Sequence, residues 1–327
     1  MSQPSSTVKS LRLALAGLEV LLGAVQNGMQ ARVEAALDVI EACTGRLIVV
    51  GIGKSGHIGA KLAASFASTG TPAFFVHPTE ASHGDLGMIA REDVVLLISK
   101  SGETRELQDI IAYCKRFGMK MIALTSGGES LVARAADVAL VLPAVREACP
   151  NDLAPTTSTL LTMALGDALA VALVERRGFS EHNFHVFHPG GKLGAQLAPV
   201  REIMQANDLP LVAESASINA ALGVLTKGSL GVVGITNEVG ALSGVITDGD
   251  VRRYLARSAE CSMKAALWET TAREIMSHSP VTIPPETMAV EALARLQSHK
   301  ISVLFVEDAG QAVGIVSFLS LLQAGVA

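Results

Sequence analysis

The stretch "IVVGIGKSGHIG", residues 48–59, runs from an aliphatic segment into a glycine-rich turn that carries Lys54 and Ser55. An apolar-striped segment follows, so the pattern predicts a strand, a tight turn and a helix start. Glycine lets the backbone turn sharply, and the unpaired N–H groups of a helix start attract anions. Such a turn can hold a dinucleotide, a nucleoside triphosphate or the phosphate of a small sugar. The Walker A pattern needs a glycine five positions before Gly53, and Ile48 stands there. A dinucleotide would suit Gly51, Gly53 and Gly56, but it also asks for an acid closing the second strand. That strand, "AFFV", is followed by His77, and Glu80 comes only after Pro78.

A second turn, "ISKSGETREL" at 98–107, tips the balance toward the third ligand. It too follows an aliphatic run and opens a helix, and it offers Ser99, Ser101 and Thr104. Short apolar runs recur at 47–50, 73–76, 94–98, 121–124 and 139–142, each continuous and not alternating, as strands covered on both faces require. Helical patterns separate them: Ile58, Leu62 and Phe66 fall four apart, as do Leu107 and Ile111. The expectation is a flavodoxin-like parallel α/β sheet of order 2-1-3-4-5, closed by a helix over 156–177. In that order the two glycine turns end neighbouring strands at the topological switch point, where ligands bind. Gly53, Ser55, Ser99, Ser101 and Thr104 are then the candidate phosphate cradle. The plainer reading makes Ser99 and Thr104 helix caps.

Composition narrows the field. The 327 residues suffice for two domains, and 49% of them are apolar but only 4% aromatic, so the core must be aliphatic. A net charge of -5 offers no basic surface for nucleic acid. Cys43, Cys114, Cys149 and Cys261 form no Cys-x-x-Cys pair and read as free thiols in a reducing cytosol. Residues 11–25 carry Arg12 and Glu19 and read as an amphipathic helix, not a signal peptide. The apolar stretch 158–174 reaches the lower end of membrane-spanning length. Asp167 near its middle favours a buried helix in a core or subunit interface. A cytoplasmic protein with no membrane partner is expected.

Beyond residue 200 an internal repeat sets in. "REIM" occurs at 201–204 and 273–276, and "GVITDGD" at 244–250 is echoed 70 residues later by "GIVSFLS" at 314–320. Each copy reads as strand, helix, two strands and helix, a duplicated α+β unit. The expected division is residues 1–200, then 201–260 and 272–327. The connector, "GFSEHNFHVFHPGGKLGAQLAPV", is rich in glycine and histidine. His182, His185 and His188 recur every third residue, a spacing that in a loop fixes no metal geometry.

Five motifs in order, "GIGKSGHIG", "HPTEASHGDLGM", "SKSGET", "REACPNDLAPTTST" and "HPGGKLG", resemble the D-arabinose-5-phosphate isomerases. These are sugar isomerase (SIS) domains followed by paired cystathionine-β-synthase (CBS) modules. The resemblance implies interconversion of D-ribulose 5-phosphate and D-arabinose 5-phosphate for synthesis of Kdo, a sugar of lipopolysaccharide. It also implies a cytoplasmic homotetramer that needs no cofactor. Motif by motif, the family's catalytic residues fall on Lys54, Glu106, Glu147 and His188. Its substrate segment falls on Gly70, Thr71, His77 and His83. Inhibitory zinc in some members points to His77. CBS modules often take adenosyl ligands through Gly-x-x-Thr/Ser-x-x-Asp. Gly244, Thr247 and Asp250 complete that pattern, whereas the second copy has Ser320 in place of the acid. The pair could thus take a nucleotide or sugar-nucleotide effector, or be structural.

Aldose–ketose isomerisation moves a proton between C1 and C2 through an enediolate and shuttles another between O1 and O2. That chemistry casts Glu147 as the carbon base and Glu106 as its relay, an order open to exchange. Lys54 would stabilise charge, and His188 would open the ring or pass the oxygen proton, reaching a neighbouring subunit's crevice. Each has a plainer alternative: Glu106 favoured by a helix dipole, Lys54 merely solvated. Two further readings compete: a sugar-phosphate-binding regulator on the same SIS domain, and a dehydrogenase. A regulator would be expected to carry a basic helix-turn-helix segment, which neither terminus offers.

Overall fold

The computed structural model describes residues 5–258 and 262–326, so Cys261 lies outside the described residues. The chain forms two compact units, Met1–Phe184 and His185–Ala327.

In the first unit, five strands make one parallel sheet: β1 (Leu47–Gly51), β2 (Ala73–Val76), β3 (Val94–Ile98), β4 (Met121–Thr125) and β5 (Val138–Val141). Their order is β2-β1-β3-β4-β5, as the sequence predicts. Strand ends move by a residue at most: β1 and β4 run on through Gly51 and Thr125, and β5 starts one position early. The continuous aliphatic runs have the expected cause. Leu47, Val49, Val94, Leu96 and Ile98 join one core cluster. Ile48, Val50, Val95 and Leu97 join the cluster on the opposite face. Successive strand residues point to opposite faces, so a strand buried on both must be apolar throughout. Each fully buried Leu, Ile or Val contributes about 1.5–3 kcal/mol.

Helices Ser6–Ala24, Gln30–Glu41, Gly53–Ser68 and Thr157–Arg177 supply residues to the first cluster. Helices Gln108–Phe117 and Leu131–Ala135 supply the second. Helix Thr157–Arg177 is long and apolar enough to cross a membrane by length and composition. In this unit it buries Leu161, Leu165, Leu169 and Leu173 in the first core cluster, packed against the neighbouring helices. The close approach is forced at Gly166, where a Cβ would lie 2.4 Å from Leu62 Cδ1. Its charged residue, Asp167, is accounted for by an ion pair with Lys61. Among the described cysteines Cys43, Cys114 and Cys149 are free. Burial pushes the Cys114 thiol up to about 12.

The second unit holds the repeat. β6 (Leu211–Ala213), β7 (Val232–Thr236), β8 (Leu242–Thr247) and β9 (Ser277–His278) form one sheet, and β10 (Thr282–Ile283), β11 (Val303–Asp308) and β12 (Gln311–Ser317) another. The two copies exchange edges. β9, which begins the second copy, pairs with β8 of the first. Gln205, at the head of the first copy, bridges Ile315 of β12. The connector beyond Phe184 belongs to this unit: Ala195 packs on its core, and Gln196 donates to the Val326 carbonyl.

Candidate active site

The carboxyl ends of β1 and β3 meet at the switch point, and both glycine turns stand there. A crevice of about 500 Å³ opens between them, lined by Ile52 and Ser55 from the first turn and by Ser99, Lys100, Ser101 and Thr104 from the second. Ser126 and Gly127, after β4, complete its wall. Gly53 starts its helix at φ +58 with open space around it. Gly102 is more constrained: φ is +71, and a Cβ would come within 1.9 Å of Ser130 Oγ. Only glycine fits that turn.

The hydroxyls of the second turn brace it from within. Ser99 Oγ lies 2.8 Å from Thr104 Oγ1 and accepts from Gly102 N at 3.0 Å, while Ser101 Oγ accepts from Glu103 N at 3.2 Å. Thr104 stands before the 3-10 turn without a side-chain cap bond, so these hydroxyls brace the turn on the crevice wall and do not cap a helix. Lys100 is held at both ends. Its carbonyl accepts from Ser126 N at 2.9 Å, and its ammonium reaches Glu147 Oε1 at 2.6 Å. Among the described residues lining the crevice, Lys100 alone carries a charge.

Glu147 is 1% exposed and lies against the start of helix Thr157–Arg177. Oε2 accepts from Thr156 N at 2.8 Å, Thr156 Oγ1 at 3.1 Å and Ser158 N at 3.1 Å, and Oε1 accepts also from Ser158 Oγ. Burial pushes this carboxyl up, but Lys100, Ser158 and the amides outweigh it and hold it at about 2. Five donors thus converge on the carboxylate that chemistry casts as a base on carbon.

The other residues singled out are dispersed. Lys54 is exposed on the first turn of its helix, outside the crevice lining. Glu106 is exposed in the 3-10 turn Arg105–Leu107 that follows Thr104. His77, directly after β2, is half-buried, and its Nδ1 is enclosed without a hydrogen-bond partner. His83 is exposed. Gly70 and Thr71 precede β2 and therefore lie at the amino edge of the sheet, away from the crevice within one chain. There they receive Arg177, whose Nη1 donates to Thr71 Oγ1 at 2.7 Å and to the Gly70 carbonyl at 3.3 Å. His188 belongs to the second unit, half-buried after helix Glu181–Phe187. Among the described residues no three His, Cys, Asp or Glu side chains gather to hold a metal, whether around His77 or in the spaced histidines. Lys100, Ser126 and Gly127 are the residues that sequence reasoning passes over. "TSGG" at 125–128, another small-residue turn after a buried strand, is the signal for the last two.

In the second unit a cleft of about 630 Å³ is lined by Thr247, Asp250, Arg253, His278 and Lys300, among others. Asp250 accepts from Thr247 N at 2.9 Å and Thr247 Oγ1 at 2.6 Å, and it pairs with Arg253. Burial raises its carboxyl, but these partners bring it below the usual range. The second copy repeats the same helix cap with Ser317 and Ser320 and no carboxylate.

The fold and the crevice define a sugar isomerase domain joined to paired CBS modules. The SIS domain family matches residues 42–172, and the CBS domain family matches residues 200–257 and 272–327. The chain is 43% identical over 314 residues to arabinose 5-phosphate isomerase KpsF of Escherichia coli O6:H1, covering 95% of this chain and 93% of that protein. It is 45% identical over 298 residues to arabinose 5-phosphate isomerase KdsD of Pseudomonas aeruginosa, covering 88% and 90%. A solved E. coli CFT073 protein in complex with arabinose 5-phosphate superposes with a TM-score of 0.53 at 38% identity, covering 57% of this chain and 100% of that one. The chain belongs to the arabinose 5-phosphate isomerase family.

Proposed function

We propose that this protein is an aldose–ketose isomerase that interconverts D-ribulose 5-phosphate and D-arabinose 5-phosphate through an enediolate, supplying Kdo for lipopolysaccharide. The observation that carries the reading is the crevice between two glycine turns at the switch point. It occurs in a chain that matches an arabinose 5-phosphate isomerase along 95% of its length. Helix-start amides at Gly53–Ser55 and beside Thr104 suit a phosphate dianion, and the remaining space suits a pentose.

In this scheme a carboxylate takes the carbon-bound proton of the ketose, and the electron pair moves to the carbonyl oxygen. The same acid returns the proton to the neighbouring carbon. Glu147 is the carbon base, Glu106 the relay, Lys54 the charge stabiliser and His188 the group that handles the oxygen proton, from a neighbouring subunit. The enzyme works in the cytoplasm as a homotetramer, without a required cofactor, and zinc at His77 would only inhibit. The cleft at Thr247 and Asp250 serves a nucleotide or sugar-nucleotide effector. The test is to incubate the pure protein with D-ribulose 5-phosphate, with and without chelator. Arabinose 5-phosphate should form at the same rate in both. Ribose 5-phosphate as the product, or no aldose, would overturn the reading.

A further inference from the structure

Glu147 presents a conflict between position and chemistry. Its carboxylate accepts from Lys100, Thr156 N, Thr156 Oγ1, Ser158 N and Ser158 Oγ. Each carboxylate oxygen offers about two lone-pair positions. Oε1 holds Lys100 and Ser158 Oγ and Oε2 holds the other three donors, so a position to take a proton from carbon opens on Oε1 when Lys100 leaves it. Four of the donors belong to Thr156 and Ser158, at the start of helix Thr157–Arg177; the two amides cannot leave without unwinding it, and the two hydroxyls can turn away but carry no charge. Lys100 is the separable charge. It comes from a different element, after β3, and its side chain is 49% exposed. An ammonium has three N–H donors, and Glu147 uses one.

Lys100 also stands where a phosphate would arrive, between Ser99 and Ser101 on the crevice wall. A phosphate monoester dianion carries more charge than a carboxylate that already shares its own with helix-start amides. It is the stronger partner for a mobile ammonium.

We propose that Lys100 is a positioning residue exchanged between two anions: phosphate bound at the Ser99–Thr104 turn draws its ammonium off Glu147, and the carboxylate so released becomes the base. The C–H bond of the ketose then breaks toward Glu147, its electron pair forms the enediolate double bond, and the carbonyl oxygen takes the negative charge. Base strength is thereby switched on by the phosphate end of the substrate. This rests on the sugar-phosphate isomerase reading above.

The experiment separates the sugar from its phosphate. Deuterium wash-in at C1 of phosphate-free D-ribulose is followed with and without saturating inorganic phosphite, in wild type, Lys100→Met and Lys100→Gln. The glutamine variant keeps a neutral donor for Glu147, so the fold survives even where the methionine variant leaves the buried acid without a donor from that side. Phosphite should speed exchange about tenfold or more in wild type and less than about twofold in both variants. A merely structural lysine would slow exchange equally with and without phosphite and leave the ratio intact, which would overturn the proposal. Wild type that isomerises D-ribulose 5-phosphate yet shows no phosphite activation would overturn it too. Wild type that does not isomerise D-ribulose 5-phosphate would remove the parent reading as well, a result seen before any phosphite is added.

Discussion

Lys100 and Glu147 meet at 2.6 Å from opposite conditions: the lysine side chain is half exposed and the carboxylate almost wholly enclosed. Ion pairs of this kind are costly to break on one side, because the remaining charge stays buried. The carboxyl sits at about 2 in the folded chain against an ordinary 4.5. A folded value below the unfolded one stabilises above the unfolded value and is lost as pH falls through the folded one. The gap corresponds to about 3 kcal/mol. Urea midpoints of wild type and Glu147→Gln should therefore differ most at neutral pH and converge between pH 4.5 and 2. A difference that stays constant over that range would mean that the charge contributes nothing.

A contrasting pair lies on helix Thr157–Arg177. Lys61 and Asp167 also form an ion pair, but both side chains are around 40% exposed. Water and salt screen such a pair, so it contributes about 0–1 kcal/mol. Asp167→Asn should lower stability by less than about 1 kcal/mol even though it falls in a helix long and apolar enough to cross a membrane. The same measurement on Glu147→Ala should show about 3–5 kcal/mol. Equal losses would mean that exposure does not decide between the two.

How far the sequence speaks differs between scaffold and site. The five strands are legible because each is aliphatic throughout, and only a sheet covered on both faces demands that. The repeat is legible through its duplicated "REIM", but the edge exchange is not. Two-residue pairings such as Gly244 with His278 leave no periodic trace. At the site, the glycine turns announce themselves, whereas Lys100 does not, since a lysine in a turn is ordinarily solvated. Gly70 and Thr71 are singled out by a motif alone, and as residues that precede a strand of a parallel sheet they lie on the edge opposite the crevice of their own chain. Glu147 could be found as a residue, but its saturation could not. The donors at Thr156 and Ser158 converge on it only when the helix start folds back over it.

Gly102 offers a test of the turn itself. Its backbone sits at φ +71, and a Cβ would collide with Ser130 Oγ at 1.9 Å. Gly102→Ala adds left-handed strain, about 1–2 kcal/mol, to the displacement of Ser130. Ser130 caps helix Leu131–Ala135 by accepting from Ala133 N at 3.3 Å, so moving it also loosens that helix. The variant should lose about 2–4 kcal/mol in urea unfolding and bind sugar phosphate at least about tenfold more weakly. Ser130→Ala alone should cost about 1 kcal/mol and leave affinity within about twofold. Gly102→Ala with unchanged affinity would mean that the turn does not form the phosphate cradle.

The two caps of the repeat pair Thr247 with Asp250 and Ser317 with Ser320, and the charged member can be exchanged. In the first copy Asp250 accepts from Thr247 N, and in the second Ser320 Oγ accepts from Ser317 N at 3.0 Å. A carboxylate at a helix start gains from the aligned amides, and a hydroxyl gains less. Ser320→Asp should therefore stabilise the chain by about 0.3–1 kcal/mol, because the cap geometry already exists and only charge is added. Asp250→Ser should destabilise by a somewhat larger amount, because it also removes the partner of Arg253. Thermal unfolding of the pair of variants would read both signs. Loss of stability in Ser320→Asp would show that the second cap lacks room for a carboxylate, and that the copies have diverged in shape as well as in charge.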